Sequence, residues 1–512
     1  MVNINTRTTS KTKMITGFYG GLLIFLLMIL FGDLEPGKPQ VTNMMAVAIL
    51  MAIWWITEVV PLAITSLIPV ALFPLLGIMS GKDVSATYFN HVIFLFIGGF
   101  LVAIAMEKWN LHKRIALRVL MITGLSPARI LLGFMLATAL LSMWISNTAT
   151  AMMMIPILLS IIQKLEENIE AKTISRYSIG LLLGVAYSAS IGGVATLVGT
   201  PPNLSFARIF QIMFPNAPAI SFADWMLFAF PTAVLLFLVA WGYLFFVYGP
   251  KKQEWVVLDK SSFKNQYLEL GKQSFEEKIV LAVFVSLALL WMFRADIEIG
   301  SFTIPGWSTI FSFPGYIEDG TIAIAVALIL FLVPSRKEKG EMIMNWESAS
   351  KIPWRIVLLF GGGFALASGF KDSGLSLWIG TQLNWIGLIH PIVIILMISL
   401  LVTFLTELTS NTATTEMILP VMAGLSVATN INPLLFMLPA TLSASMAFML
   451  PVATPPNAII FGTNRVTVGE MAKAGLFMNL AGAVIIMLMT YYLGSLVFNI
   501  DMSQMPVWAL PK

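Results

Sequence analysis

The chain has 512 residues, 58% of them hydrophobic and 11% charged, with a mean hydropathy of +0.87. A soluble surface needs more charge, so a soluble globular protein is excluded. There is no cysteine to form disulfides or thiolate sites, the three histidines (His91, His112, His390) lack metal-ligand spacing, and the net charge of +4 comes without a basic stripe interleaved with aromatics, so nucleic-acid binding has no support.

The first apolar run, 14–31, is long enough to cross a bilayer. Others follow it and no A-x-A-like cleavage pattern does, so it reads as a retained span rather than a signal peptide. Further spans are expected at 42–60, 62–79, 91–107, 177–209, 225–248, 278–293, 320–334, 354–370, 433–460 and 474–498. Two segments, 128–163 and 391–426, read as hairpins that enter the membrane and turn back. The expected fold is an all-α polytopic membrane protein with about eleven transmembrane helices and two re-entrant hairpins, its main partner the lipid bilayer. Residues 108–122, "KWNLHKRIALRVLMI", mix basic and apolar positions at helical spacing. They predict an interfacial helix along the membrane, the alternative being an extension of the preceding span. The longest loops, about 250–277 and 294–319, are too short to fold alone.

Basic residues orient this layout. With the N-terminus inside, 24 of the 30 Lys and Arg fall on the cytoplasmic side, and Lys38, Lys82, Arg208, Arg294, Lys371 and Lys512 fall on the other. The expectation is a cytoplasmic N-terminus, an external C-terminus and residence in a bacterial inner or cell membrane.

The chain repeats itself. "FIGGFLVA" at 96–103 matches "FGGGFALA" at 360–367, an offset of 264. Ser142 matches Thr406, "SNTAT" at 146–150 matches "SNTAT" at 410–414, and Pro156 matches Pro420 at that same offset. "GTPPN" at 199–203 then matches "ATPPN" at 453–457, offset by 254. One constant offset over so long a stretch leaves little room for a chance pentapeptide match. The span at 91–107 would run outside to inside and its counterpart at 354–370 inside to outside, so the repeats are inverted. Inverted repeats with matching interrupted segments point to a secondary transporter with a midplane site between the halves.

The motif residues suit that reading. Non-helical backbone at membrane depth survives only where it is buried or lines a cavity. Ser, Asn and Thr cap helices through side-chain oxygens. The second helix of each hairpin is expected to start at the SNT block, turning its free N–H groups and positive dipole end toward an anion. Proline breaks helical continuity, so the TPP blocks should free the carbonyls of Gly199 and Ala453. Ser142 and Thr406 each lie four residues before the motif serine, on the same helical face. Each half can thus assemble an oxygen-lined cation site: Ser142, Ser146, Asn147 and Gly199 in one, Thr406, Ser410, Asn411 and Ala453 in the other. The motifs hold no Lys, Arg or His, so an anion bound there takes its balancing charge from helix ends and bound Na⁺. The bland alternative is that these side chains only glue helices together. Glu58, Glu407 and Glu416 are intramembrane acids. For Glu407 a proton or cation role and a structural role capping freed N–H groups both stand open.

The paired SNT motifs at hairpin tips and the paired TPP breaks resemble the divalent-anion/sodium symporters, the family of sodium-coupled dicarboxylate, citrate and sulfate carriers, over roughly 40–500. The resemblance implies a homodimer that works as an elevator. Residues 1–13 would be a cytoplasmic segment, 14–127 and 278–389 the scaffold, and 128–250 and 390–500 the transport domain. It implies that Asn147, Thr148, Asn411, Thr412 and Pro455 touch substrate carboxylates, with Thr200 and Thr454 as further candidates. It also implies one Na⁺ site at Ser142, Ser146, Asn147 and Gly199 and a second at Thr406, Asn411 and Ala453. Intact SNT motifs lean toward C4-dicarboxylates such as succinate, fumarate and malate, carried by symport with Na⁺. The alternatives are a sodium-independent dicarboxylate exchanger and a proton-coupled antiporter. An enzyme is not expected, because no nucleophile, base or metal constellation is in sight.

Overall fold

The computed structural model describes residues 11–167, 169–250, 261–299, 302–502 and 504–510. The expected cytoplasmic segment 1–13 therefore lies largely outside the described residues, as do 251–260 of the long basic loop and Lys512. Helices dominate. Among the described residues β structure amounts to one small antiparallel pair, Ile297–Ile299 with Phe302–Ile304, and an isolated bridge between Pro334 and Met342. Among the described residues six helices are long and apolar enough to cross a membrane, and six shorter apolar helices accompany them.

The two halves match element by element. His91–Lys108 corresponds to Trp354–Asp372, and each leads into a shorter helix, Leu111–Thr123 and Leu375–Gln382. The residues opening those short helices, Asn110 (φ 58°) and Gly374 (φ 80°), are both left-handed and stand 264 apart. Hairpins follow: Pro127–Ser142 with Asn147–Glu166, and Pro391–Thr406 with Asn411–Thr429. Proline at the first position of both starting helices suits the first turn, where its missing N–H has no intrahelical partner. Next come Ala171–Val194 and Leu434–Ala444, each ending in a break. Pro201–Met213 and Pro455–Phe461 restart the chain, and Phe222–Tyr248 and Val468–Leu488 close the halves. Ser221 with Asp224 and Thr467 with Glu470 form reciprocal capping boxes at the starts of these closing helices.

One expected element, 62–79, differs in detail. The segment 62–79 is two short helices, Leu62–Thr65 and Ile68–Leu75. Pro61, Pro69 and Pro74 punctuate it, and the longer piece is only about 12 Å at 1.5 Å per residue. The amphipathic helix at 111–123 is a separate element, as expected, and one face of it is buried in the protein. Its Arg114 is buried, paired with both carboxylate oxygens of Glu277 (2.5 and 3.1 Å) and donating to the carbonyls of Leu270 and Gly271. A buried guanidinium needs that full set of acceptors.

Ala171–Val194 is the hub. Its apolar window is wholly buried, and it packs against both helices of the first hairpin, against Phe222–Tyr248 and against Pro455–Phe461 of the other half. Small residues permit this close approach, as is usual where helices meet in lipid. A Cβ on Gly192 would collide with the backbone of Ala139, and one on Gly184 would come within 2.8 Å of Leu131. Gly192→Ala is therefore expected to lower the stability of the detergent-purified protein by about 1–3 kcal/mol, seen as a reduced thermal midpoint. Gly242→Ala, whose Cβ meets nothing within 4 Å, should leave the midpoint unchanged or slightly raised.

Candidate functional site

Four helices begin at the four motif blocks. Asn147–Glu166 starts behind the N-cap Ser146 and Asn411–Thr429 behind Ser410, both with non-helical φ/ψ (−56°/142° and −73°/131°). Pro201–Met213 starts behind Thr200 and Pro455–Phe461 behind Thr454, both extended. The packing crosses between halves. Pro455–Phe461 of the second half lies on Asn147–Glu166 of the first, and Pro201–Met213 of the first lies on Asn411–Thr429 of the second. Each hairpin tip is thus flanked by the restart helix of the opposite repeat.

Within each half the expected ligands converge. Ser142 Oγ lies 2.6 Å from Asn147 Oδ1 and 2.7 Å from the Ala189 carbonyl. Thr406 Oγ1 lies 2.8 Å from Asn411 Oδ1 and 2.8 Å from the Ala444 carbonyl. A hydroxyl has one proton, so it satisfies only one of two acceptors at a time. Both clusters are rich in oxygen and poor in hydrogen, which is what a hard cation requires. Gly199 belongs to the first cluster, since a Cβ on Gly193 would fall 2.7 Å from Asn147 Oδ1 and 3.1 Å from the Gly199 carbonyl. That glycine face is a cradle a methyl group would fill.

The other expected ligands sit at or beside the helix starts. Ser146 Oγ accepts from Ala149 N (3.2 Å), so it caps its helix, whereas Ser410 makes no such side-chain bond. Thr454 Oγ1 accepts from Asn457 N (3.3 Å). Ala453 is buried in the second break, and Thr200 and Thr412 are buried at helix starts. Thr148 is half-buried beside Asn147, and Pro455 is exposed.

Sequence reasoning gave no role to Asn203 and Asn457, the last letters of GTPPN and ATPPN. In the structure they hold the breaks open. Asn203 Nδ2 donates to the carbonyls of Gly193 (3.2 Å), Val194 (3.2 Å) and Thr196 (2.7 Å). Asn457 Nδ2 donates to Ala447 and Leu450 (both 3.1 Å). Gly193 and Ala447, like Thr196 and Leu450, stand 254 apart, so the bonds repeat along with the residues. The Asn203 Oδ1 atom is left buried without a hydrogen bond.

Glu407 resolves toward the structural alternative. Its carboxylate accepts from three consecutive backbone N–H groups of the second break, Phe448 (2.7 Å), Met449 (2.9 Å) and Leu450 (3.0 Å), and from Asn479 Nδ2 (2.8 Å). Four donors satisfy one charge and the N–H groups freed by the break. Met143 takes the matching place in the first half. Glu58 ends the Pro39–Thr57 helix in left-handed backbone (φ 50°).

Fold and site together define a polytopic helical membrane transporter built from two repeated halves. The family described as sodium:sulfate symporter transmembrane region matches residues 15–500, and the chain belongs to that family. A relative from Staphylococcus saprophyticus, the sodium-dependent dicarboxylate transporter SdcS, is 43% identical over 495 residues, covering 96% of this chain and 93% of its own. The protein of the same name from Staphylococcus aureus strain MRSA252 is 43% identical over 499 residues, covering 96% and 94%. The Alcanivorax borkumensis YdaH transporter crystal structure shares the fold, with a TM-score of 0.57 at 12% identity over 94% of this chain and 98% of its own.

Removing Asn203 leaves three carbonyls without their donor. Asn203→Ala and Asn457→Ala should each cost about 1–3 kcal/mol. A thermal melt in K⁺ buffer measures that loss, and the rise in midpoint on replacing K⁺ by Na⁺ should shrink in both variants.

Proposed function

We propose that this chain imports C4-dicarboxylates such as succinate, fumarate and malate by symport with Na⁺. The observation that carries the reading is the duplicated cluster of hydroxyl, amide oxygen and backbone carbonyl at the start of a membrane helix, Ser142–Asn147–Ala189 and Thr406–Asn411–Ala444. Neutral oxygens suit Na⁺, and helix starts suit carboxylates. The names of the relatives agree with both ligands.

In this mechanism Asn147 and Asn411 work on both sides. Their Oδ1 atoms, with Ser142 and Thr406, hold one Na⁺ in each half, joined by the carbonyls of Gly199 and Ala453. Ser146 caps its helix start and Ser410 stands at the matching start, both facing the anion. Thr148, Thr412 and Pro455, with Thr200 and Thr454, meet the substrate carboxylates. Two cations balance a dianion in a site that has no basic side chain, so the anion binds well only after Na⁺. Substrate and ions would cross together as the hairpins and restart helices slide as a body past the scaffold, in a homodimer whose N-termini face the cytoplasm of a bacterial cell. A proton-coupled antiporter would need Glu407 as a titrating group, and its engagement with four N–H donors argues against that use.

Purified protein in liposomes should accumulate labelled succinate under an inward Na⁺ gradient with no pH gradient. Uptake unchanged when K⁺ replaces Na⁺ would remove the symport reading. Asn147→Ala and Asn411→Ala should lose uptake by about a hundredfold while remaining folded, and wild-type rates in both would refute the site assignment.

A further inference from the structure

The buried acid Glu416 has no part in the cation clusters, yet it stands where the two halves meet. It is the sixth residue of Asn411–Thr429, and Ser205 is the fifth of Pro201–Met213. At 1.5 Å per residue they lie roughly 7.5 and 6 Å behind the helix starts at the site. Both are wholly buried, and Ser205 Oγ donates to Glu416 Oε1. One helix restarts the first repeat and the other forms the second hairpin, so the bond joins the two halves directly behind their site-facing ends. The other carboxyl oxygen, Oε2, is buried without a hydrogen bond. It lies against Gly363 of Trp354–Asp372, where any Cβ would overlap it.

The repeat supplies an internal control. At the same offsets Glu416 corresponds to Met152, Ser205 to Ile459 and Gly363 to Gly99. The matching interface, Pro455–Phe461 on Asn147–Glu166, forms with no acid at that place: Met152 is largely exposed and Ile459 half-buried. A Cβ on Gly99 would meet only ordinary contacts, Val198 at 3.5 Å and Trp291 at 3.6 Å. Packing of a restart helix on a hairpin therefore does not require a buried acid. A carboxyl in a membrane interior is costly and calls for a function.

We propose that Glu416 is a positioning residue: its bond to Ser205 fixes the spacing of the two helix starts, so that filling one half-site prepares the other. The proposal rests on the dicarboxylate–Na⁺ reading above. Without the tie the two starts move independently, and the shared anion meets a site that must be assembled on binding. Affinity and Na⁺ cooperativity then fall, while the rate of the loaded carrier does not.

The test is succinate uptake into proteoliposomes across Na⁺ and succinate concentration series. Ser205→Ala and Glu416→Met should raise the succinate KM about tenfold and flatten the Na⁺ dependence, with maximal rate within about twofold of wild type. Glu416→Gln keeps an oxygen acceptor for Ser205 and should restore KM to within about twofold. Gly363→Ala, which displaces the carboxyl, should resemble Glu416→Met, and Gly99→Ala should resemble wild type. If Glu416→Met does not fold, Ser205→Ala decides. Unchanged KM and Na⁺ dependence in Ser205→Ala, or a fall in maximal rate at unchanged KM, would overturn the proposal. Wild-type uptake that ignores Na⁺ would instead sink the symport reading, and the KM comparison would still judge the tie.

Discussion

A backbone N–H or C=O left unpaired inside a membrane costs several kcal/mol, and this chain breaks its helices there twice. Everything at the site depends on how those breaks are satisfied. Asn203 and Asn457 collect the stray carbonyls. Glu407, which also accepts from Asn479, collects the stray N–H groups of the second break. The oxygens that remain, on Ser142, Asn147, Thr406, Asn411 and their neighbouring carbonyls, exceed the hydrogens available to them. The same constraint that makes a broken helix expensive thus leaves a controlled break with the oxygen surplus that the proposed cation sites need.

The two halves satisfy this constraint differently. Glu407 places a carboxyl group beside the second break, where the first half has Met143. Gly193 leaves an open face toward Asn147, where the second half has Ala447 with its Cβ. Glu416 and Ser205 bond across one inter-repeat contact, where the other has Met152 and Ile459. The duplicated motif gives two oxygen clusters of one chemical kind, and these flanking differences make them unequal in polarity and room.

Much of this was legible in the letters, because the determinants are local. The hairpin helices start at Asn147 and Asn411 since a serine N-cap and small polar residues favour a start there, and the restart helices begin at Pro201 and Pro455 since proline suits a first turn. The shared offsets exposed the repeat. What escaped depends on contacts far apart in sequence. The exchange of restart helices between hairpins, the reach of Glu407 to residues 448–450 and the pairing of Ser205 with Glu416 leave no periodicity to read. Asn203 and Asn457 were visible as matched letters, but their role needed the carbonyls that only the folded break presents. The 62–79 segment misled because its composition is apolar throughout, while three prolines decide its geometry.

In the proposed mechanism two neutral oxygen clusters each carry one Na⁺ with a shared dianion. The direct measurement is the null point of net succinate flux in proteoliposomes as the opposing Na⁺ and succinate gradients are varied at zero membrane potential. Two coupled Na⁺ predict that a tenfold Na⁺ gradient balances a succinate gradient of about a hundredfold. A null point set by the succinate gradient alone, indifferent to Na⁺, would contradict the account.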